Sequence, residues 1–179
     1  MIKQAIATLA LTLSLASSAV HAQESNCDGW MASDWEVAKQ FWEVATSETV
    51  ADCLKSGSSV NTKGESGRTP LHVAASSSEN PDVLLILSVL LESGADINAR
   101  DQGGYTSLHR GVRKPEVLTF LLGAGANVND RNENGSTPLH IAGYFGNPES
   151  IKVLLDAGAD INARSETGET PLHGVKYLP

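Results

Sequence analysis

The chain has 179 residues, of which 41% are hydrophobic, and its 13 basic and 21 acidic residues give a formal net charge of −8 at pH 7. This length allows one domain or a short array of repeated units and excludes two full-sized domains. The acidic balance argues against a nucleic-acid partner, because phosphate binding depends on clustered Lys and Arg side chains.

Residues 1–22 have the pattern of a secretory signal peptide. Lys3 supplies a positive start, and residues 5–16 are apolar except for two threonines and one serine. The ending Val20-His21-Ala22 fits the small-x-small rule, which predicts cleavage after Ala22. The apolar run is shorter than the ~20 residues that span a bilayer. We therefore expect an exported protein without a membrane span after cleavage, in the periplasm or, as the alternative, outside the cell.

Residues 23–34 are expected to form an N-terminal arm. Cys27 lies in this arm, and Cys53 is the second cysteine of the chain. An even number of cysteines in an oxidising compartment predicts a disulfide between them. Two free buried thiols are the alternative.

Two short motifs recur along the rest of the chain. Four copies of Thr-Pro-Leu-His, with Ser for Pro in one, begin at threonines that are 37, 31 and 33 residues apart. A glycine followed four residues later by Asn lies 12 residues before each threonine. The constant spacing predicts fixed geometry from Gly to Thr, whereas the variable remainder tolerates insertions. The threonines are Thr69, Thr106, Thr137 and Thr170, and the glycines are Gly57, Gly94, Gly125 and Gly158.

The same positions carry helix start and stop signals. Glycine suits the left-handed end of a helix, and proline after threonine suits the first helical turn. Pro81, Pro115 and Pro148 are each followed by an acidic residue, which predicts a second helix start in each unit. Each unit is therefore predicted to contain two helices and an extended, hairpin-like loop.

This combination of motifs resembles the ankyrin repeat. The resemblance implies an all-α repeat solenoid of about four units, in which helix pairs stack side by side and β-hairpin loops project at right angles. Gly64 stands where Asp is usual, Ser107 replaces Pro, and the third unit is two residues short, so we expect a bent groove near Tyr105. The repeat domain is expected at 35–179, with units at about 35–61, 62–98, 99–129 and 130–162 and a partial unit at 163–179.

The two ends of the array depart from the repeat. The first unit lacks the Thr-Pro-Leu-His motif and resembles an ankyrin N-terminal cap, with a helix expected from about Glu48 to Ser56. We expect its tryptophans and the disulfide to close the first face of the stack; an aromatic partner surface is the alternative. After His173 the second helix is missing, so residues 174–179, another chain or a lost segment would have to cover the end. The tryptophans are Trp30, Trp35 and Trp42.

Residues 83–91 are apolar except for Ser88. A helix that is apolar all round has to be covered on every side. We expect it to be lengthened by nearly a turn and clasped between the cap and the third unit. An exposed stripe used for self-association is the alternative.

The recurring histidines 72, 109, 140 and 173 do not indicate a metal site. Equivalent positions on helices 8 to 10 Å apart cannot share a zinc ion that needs ligands at ~2 Å. The resemblance implies that these histidines bridge neighbouring loops by hydrogen bonds. We expect no catalytic residue, no metal, no cofactor and no small-molecule substrate.

The resemblance implies a non-catalytic adaptor that binds an unknown protein on a preformed concave face. A secreted effector that binds a host protein and a self-associating structural protein are the alternatives, and the oligomeric state is left open. Tyr105 and Arg110 are the expected anchors, because Tyr and Arg are enriched at binding hot spots. The variable positions of the family fall on Glu65, Ser66, Arg68, Val73, Gln102, Tyr105, Arg110, Glu133, Asn134, Ser136, Ile141, Glu166, Thr167 and Glu169.

Overall fold

A computed structural model describes residues 27, 30, 35–64, 66–77 and 80–173. This part of the chain contains eight α-helices and no β-strand. The predicted signal peptide and most of the predicted arm lie outside the described residues. The helices are α1 (Trp35–Val44), α2 (Ser47–Lys55), α3 (Pro70–Ser76), α4 (Val83–Glu92), α5 (Ser107–Arg110), α6 (Pro115–Gly123), α7 (Pro138–Phe145) and α8 (Pro148–Asp156).

The repeated motif starts the first helix of a unit as predicted. Thr69, Thr106 and Thr137 are the N-caps of α3, α5 and α7. Each threonine hydroxyl accepts a hydrogen bond from the backbone N–H of the histidine three residues on, and the histidine ring accepts one from the threonine N–H. This reciprocal pair satisfies two N–H groups that a helix start leaves without partners. Ser107 replaces proline in α5 without loss of this pair.

The second helix of each unit ends just before a glycine, as predicted. At the end of α4, Gly94 has a φ of 88°, and its N–H donates to the Leu91 carbonyl at 3.0 Å. The Ala95 N–H donates to the Leu90 carbonyl at 2.9 Å. A side chain would strain this left-handed backbone, which explains the glycine. The other three marker glycines also have positive φ.

The start of α4 differs from the prediction. Pro81 lies in a turn and the helix begins at Val83, whereas α6 and α8 begin at their prolines. The buried Asn80 side chain donates to the carbonyls of Trp42 at 2.7 Å and Ala45 at 2.8 Å, and accepts the N–H two residues on at 2.8 Å. The extra residues therefore mainly build this pinned turn, and α4 has 10 residues against nine in α6 and α8.

The helices form two layers, with α1, α3, α5 and α7 in one and α2, α4, α6 and α8 in the other. The apolar segment at 83–91 is clasped as expected, because α4 packs against α2, α3 and α6. Leu85 is the one exposed apolar side chain of this segment, at 59%, and Leu84, Val89 and Leu91 are half-buried. The buried residues of α4 are Val83, Ile86, Leu87 and Leu90.

Aromatic side chains and a disulfide close the N-terminal end. Cys27 and Cys53 form the expected disulfide, with their Cα atoms 5.6 Å apart. Trp30 and Trp42 are buried, and the Trp42 Nε1–H donates to the Trp30 carbonyl at 3.0 Å. The Trp30 Nε1–H donates to the Ser59 carbonyl at 3.3 Å. The closing role is confirmed for these two tryptophans, while the side chain of the third lies outside the described part.

The C-terminal end is open within the described residues. The last copy of the motif forms only a short 3₁₀ turn at 171–173. Leu172 is 60% exposed, Ile161 41% and Leu155 38%. These side chains and Leu139 line a shallow apolar pocket of about 40 Å³. Residues 174–179, which were expected as one cover for this end, lie outside the described part.

Candidate functional site

The loops between units form a row of tips on one side of the stack. Each loop closes on a backbone hydrogen bond, such as that from the Asp101 N–H to the Tyr105 carbonyl at 3.0 Å. Single backbone hydrogen bonds then join neighbouring tips, in place of a continuous β-sheet. These bonds run from the N–H of Gln102 to the carbonyl of Ser66 (3.0 Å), from Glu133 to Gly103 (3.0 Å) and from Glu166 to Asn134 (2.9 Å).

Three of the four motif histidines tie a helix start to the next loop, which confirms the expected bridging for His72, His109 and His140. The Thr69 N–H donates to Nδ1 of His72 at 3.2 Å, so the ring proton lies on Nε2 and is donated to the Tyr105 carbonyl at 2.9 Å. The same bridges run from His109 to the Ser136 carbonyl and from His140 to the Glu169 carbonyl, both at 3.1 Å.

Two of the buried histidines, His72 and His109, are held neutral. Burial lowers the pKa of His72, and it lowers the pKa of His109 to about 4 although the Ser136 carbonyl favours the charged ring. Desolvation disfavours the charged form of an imidazole, which explains the direction of both shifts. At pH 7 these rings therefore act as neutral hydrogen-bonding bridges.

A buried carboxylate organises the loop of the third unit. Asp101 Oδ1 accepts from the N–H groups of Gly103 at 2.9 Å and Tyr105 at 3.0 Å. Its Oδ2 accepts from Arg110 Nε at 3.1 Å, and Arg68 Nε lies 3.9 Å away. Burial opposes ionisation of Asp101, but the hydrogen bond and charge of Arg110 and the two backbone bonds hold its pKa below the ordinary value. The pair fixes the Arg110 side chain beside the loop.

The equivalent position differs in the other units. The side chain of Asn132 accepts from the N–H groups two and four residues on, at 3.0 and 2.9 Å. Ser165 Oγ accepts from the N–H four residues on, at 3.2 Å, and shares a hydrogen bond with Thr167 Oγ1 at 2.9 Å. Gly64 has no side chain to offer. The loop of the third unit is thus the only one of the four built on a carboxylate at this position.

A groove lies where the first helix of the third unit is short. The helix α5 has four residues, whereas its neighbours α3 and α7 have seven and eight. This difference leaves a groove of about 420 Å³. The Arg110 guanidinium carbon lies 4.3 Å from the centroid of the Tyr105 ring, and that of Arg113 lies 4.2 Å from the Phe145 ring. The bend expected near Tyr105 stays a prediction.

Among the residues that line this groove, sequence reasoning missed the exposed side chains of Arg113, Tyr144 and Phe145. Tyr144 is 64% exposed and Phe145 42%. Two adjacent aromatic residues on one helix point in different directions, so both cannot face one core. The sequence places both residues just before the glycine that ends α7, and this position was the signal that they could be exposed.

The predicted site residues lie in two settings. The expectation for Val73 is corrected, because its side chain is 3% exposed and the flanking helices α1 and α5 help to bury α3. Glu65 lies outside the described residues. The exposed positions are Ser66, Gln102, Glu133, Asn134, Glu166, Thr167 and Glu169, and the half-buried ones are Arg68, Tyr105, Arg110, Ser136 and Ile141.

Within the described residues, no group of three or more His, Cys, Asp or Glu side chains is arranged to hold a metal ion. No helix there has the length and apolar character needed to cross a bilayer.

Stacked helix pairs joined by hydrogen-bonded loop tips define the class of helical repeat solenoids. A family model described as ankyrin repeats in three copies matches residues 42–132 and 111–174. The chain therefore belongs to the ankyrin-repeat family, whose repeats form modules for protein–protein interaction. A search of curated proteins finds no match.

Proposed function

We propose that the chain is a non-catalytic adaptor, exported to the periplasm, that binds a partner protein on the face formed by its loop tips and first helices. The main support for this proposal is the row of loop tips. Backbone hydrogen bonds join successive tips, and three histidine bridges hold each tip to the preceding helix. A surface ordered before binding loses little conformational entropy when it meets a partner.

The tips leave their side chains available to a partner. The N–H groups of Glu133 and Glu166 bond to the preceding loops, while both side chains point away from the core and are exposed. Replacing these side chains leaves the backbone bonds in place. These two residues therefore suit a test that separates binding from folding.

The Cys27–Cys53 disulfide supports export, because disulfides persist in oxidising compartments. We propose that residues 1–22 are a cleaved signal peptide, 23–34 an arm and 35–179 the repeat domain. Cell fractionation of a C-terminally tagged full-length chain, with sequencing of its N-terminus, tests this part. Cleavage after Ala22 and recovery with the periplasmic fraction are expected; recovery in the culture medium would favour the secreted effector.

Affinity capture from an envelope extract tests the adaptor function. The baits are the tagged chain, the tip variant Glu133→Arg with Glu166→Arg, and a control with Glu116→Arg and Glu149→Arg. The control residues are exposed in the first turns of α6 and α8, in the other helix layer, and carry the same charge change. Captured proteins are identified by mass spectrometry, and circular dichroism verifies the fold of each bait.

We expect a partner that the parent and the control both hold and the tip variant loses. Capture by all three baits alike would place binding away from the tips. No specific capture by any folded bait would contradict the adaptor proposal.

A further inference from the structure

The groove beside α5 concentrates positive charge in an acidic protein. Three arginines, Arg68, Arg110 and Arg113, line the groove, and no Asp or Glu is among the described residues that line it. The buried Asp101 carboxylate engages Arg110 and lies near Arg68. The chain as a whole carries a net charge of −8. The groove is therefore electrostatically distinct from the molecule around it.

Arg113 is the arginine in this groove that can serve a ligand. Its side chain is exposed, and it has no carboxylate partner within the described part of the chain. Its guanidinium lies over the Phe145 ring, while its backbone carbonyl accepts from Asn147 Nδ2 at 3.2 Å. Contact with a ring face leaves the N–H donors of a guanidinium available for a carboxylate.

Apolar side chains line the groove next to Arg113. Tyr144 and Phe145 are exposed aromatics whose ring centroids are 5.5 Å apart, and the half-buried Ile141 lies one helical turn before them. Exposed aromatic side chains beside arginine are the composition typical of binding hot spots. The groove thus pairs an available positive charge with an apolar contact surface.

We propose that this groove binds an extended acidic segment of the partner protein. A partner Asp or Glu carboxylate binds Arg113, and an apolar partner side chain next to it packs on Tyr144. This inference rests on the proposed adaptor function and names the chemistry of the partner. Charge complementarity supports it, because a carboxylate would meet a guanidinium that no carboxylate of the described residues engages.

Selection from a random peptide library tests the inference. The targets are the oxidised, tagged full-length chain and the variants Arg113→Gln, Tyr144→Ala and Arg164→Gln. Arg164 is exposed, donates to the Gly168 carbonyl at 3.2 Å and does not line the groove, so it provides a matched loss of charge. Circular dichroism verifies the fold of each target, and fluorescence anisotropy gives the affinity of enriched peptides.

We expect enriched peptides in which Asp or Glu lies next to an aromatic or aliphatic residue. Their affinity should fall about tenfold for Arg113→Gln, as for the loss of one charged hydrogen bond, and change less than about twofold for Arg164→Gln. Tyr144→Ala should weaken them as well. Enrichment without acidic residues, equal binding by Arg113→Gln, or no enrichment would each overturn the inference. Capture of a partner through the loop tips would still stand as evidence for the adaptor.

Discussion

The first and last copies of the Thr-Pro-Leu-His motif share a sequence and differ in their surroundings. Leu71 and His72 in the first copy are both 0% exposed, whereas Leu172 in the last copy is 60% exposed. The first copy begins the helix α3, and the last forms one 3₁₀ turn. Even so, the Thr170 N–H still donates to Nδ1 of the last histidine at 3.0 Å.

The difference separates what the motif does locally from what the neighbouring unit supplies. The capping hydrogen bonds form wherever the motif occurs, because their partners are three residues apart. Burial requires a following unit, and Nε2 of His72 finds its acceptor in the next loop. No further loop follows His173 within the described residues. The same four residues should therefore contribute very differently to stability at the two ends.

The largest expected difference is between the two motif leucines. Leu71→Ala removes a fully buried side chain and should lower the free energy of unfolding by about 2–5 kcal/mol. Leu172→Ala should change it by less than about 0.5 kcal/mol, because that side chain is mostly exposed. Urea denaturation of both variants measures the two values. Equal losses would mean that the last motif is buried in solution.

The disulfide should be the next largest contribution, and it acts only at the N-terminal end. Cys27 and Cys53 are 26 residues apart, and closing a loop of this length corresponds to about 3.5 kcal/mol in the chain-entropy model. We expect the double variant Cys27→Ser with Cys53→Ser to lose about this amount of unfolding free energy, and reductant should not destabilise it further. Thermal unfolding with and without dithiothreitol provides the measurement. A parent protein that unfolds at the same temperature with and without dithiothreitol would contradict a stabilising disulfide.

Acid should destabilise the buried motif of the third unit through His109. The pKa of His109 is about 4 in the folded chain and about 6.5 when unfolded. Between these values the unfolded state binds more protons, so the free energy of unfolding falls as the pH falls, by about 3 kcal/mol in total. This contribution is fully present above pH 6.5 and is lost as the pH approaches 4.

Urea denaturation at pH 7 and pH 4.5 measures the effect. His109→Gln should reduce the difference between the two pH values, because it removes this titrating group. Buried His72 keeps part of the dependence in this variant, since burial also lowers its pKa. A parent protein equally stable at both pH values would contradict this assignment.

Most of the helical framework could be predicted because its signals are local. The Thr-Pro starts and the glycine stops act within a few residues, and α2 lies within one residue of its expected bounds at both ends. The start of α4 was missed because Asn80 pins that turn to carbonyls 35 and 38 residues away in sequence. A contact of this kind leaves no periodic pattern in the sequence.

The candidate site was less accessible to sequence reasoning. Transferring family positions identified the loop tips but included Val73, which the stack buries. The groove depends on α5 being shorter than the helices on both sides, so its aromatic wall comes from a neighbouring unit. The sequence shows that the third unit is two residues short, but it does not show which side chains of the neighbouring unit become exposed as a result.

The smallest difference in stability between the two ends should come from the asparagines that join successive units. Asn61 Nδ2 donates to the Gly94 carbonyl at 3.0 Å, and its Oδ1 accepts from the Asp96 N–H at 2.9 Å. The equivalent side chain of Asn162 makes no hydrogen bond within the described residues. Asn61→Ala should cost about 1 kcal/mol, since exposed hydrogen bonds contribute modestly, and Asn162→Ala should cost less than about 0.5 kcal/mol. Urea denaturation measures these losses. Asn129→Ala should cost as much as Asn61→Ala, because the Asn129 side chain makes the same two hydrogen bonds. Equal losses for Asn61→Ala and Asn162→Ala would mean that Asn162 also bonds to a neighbouring unit in solution.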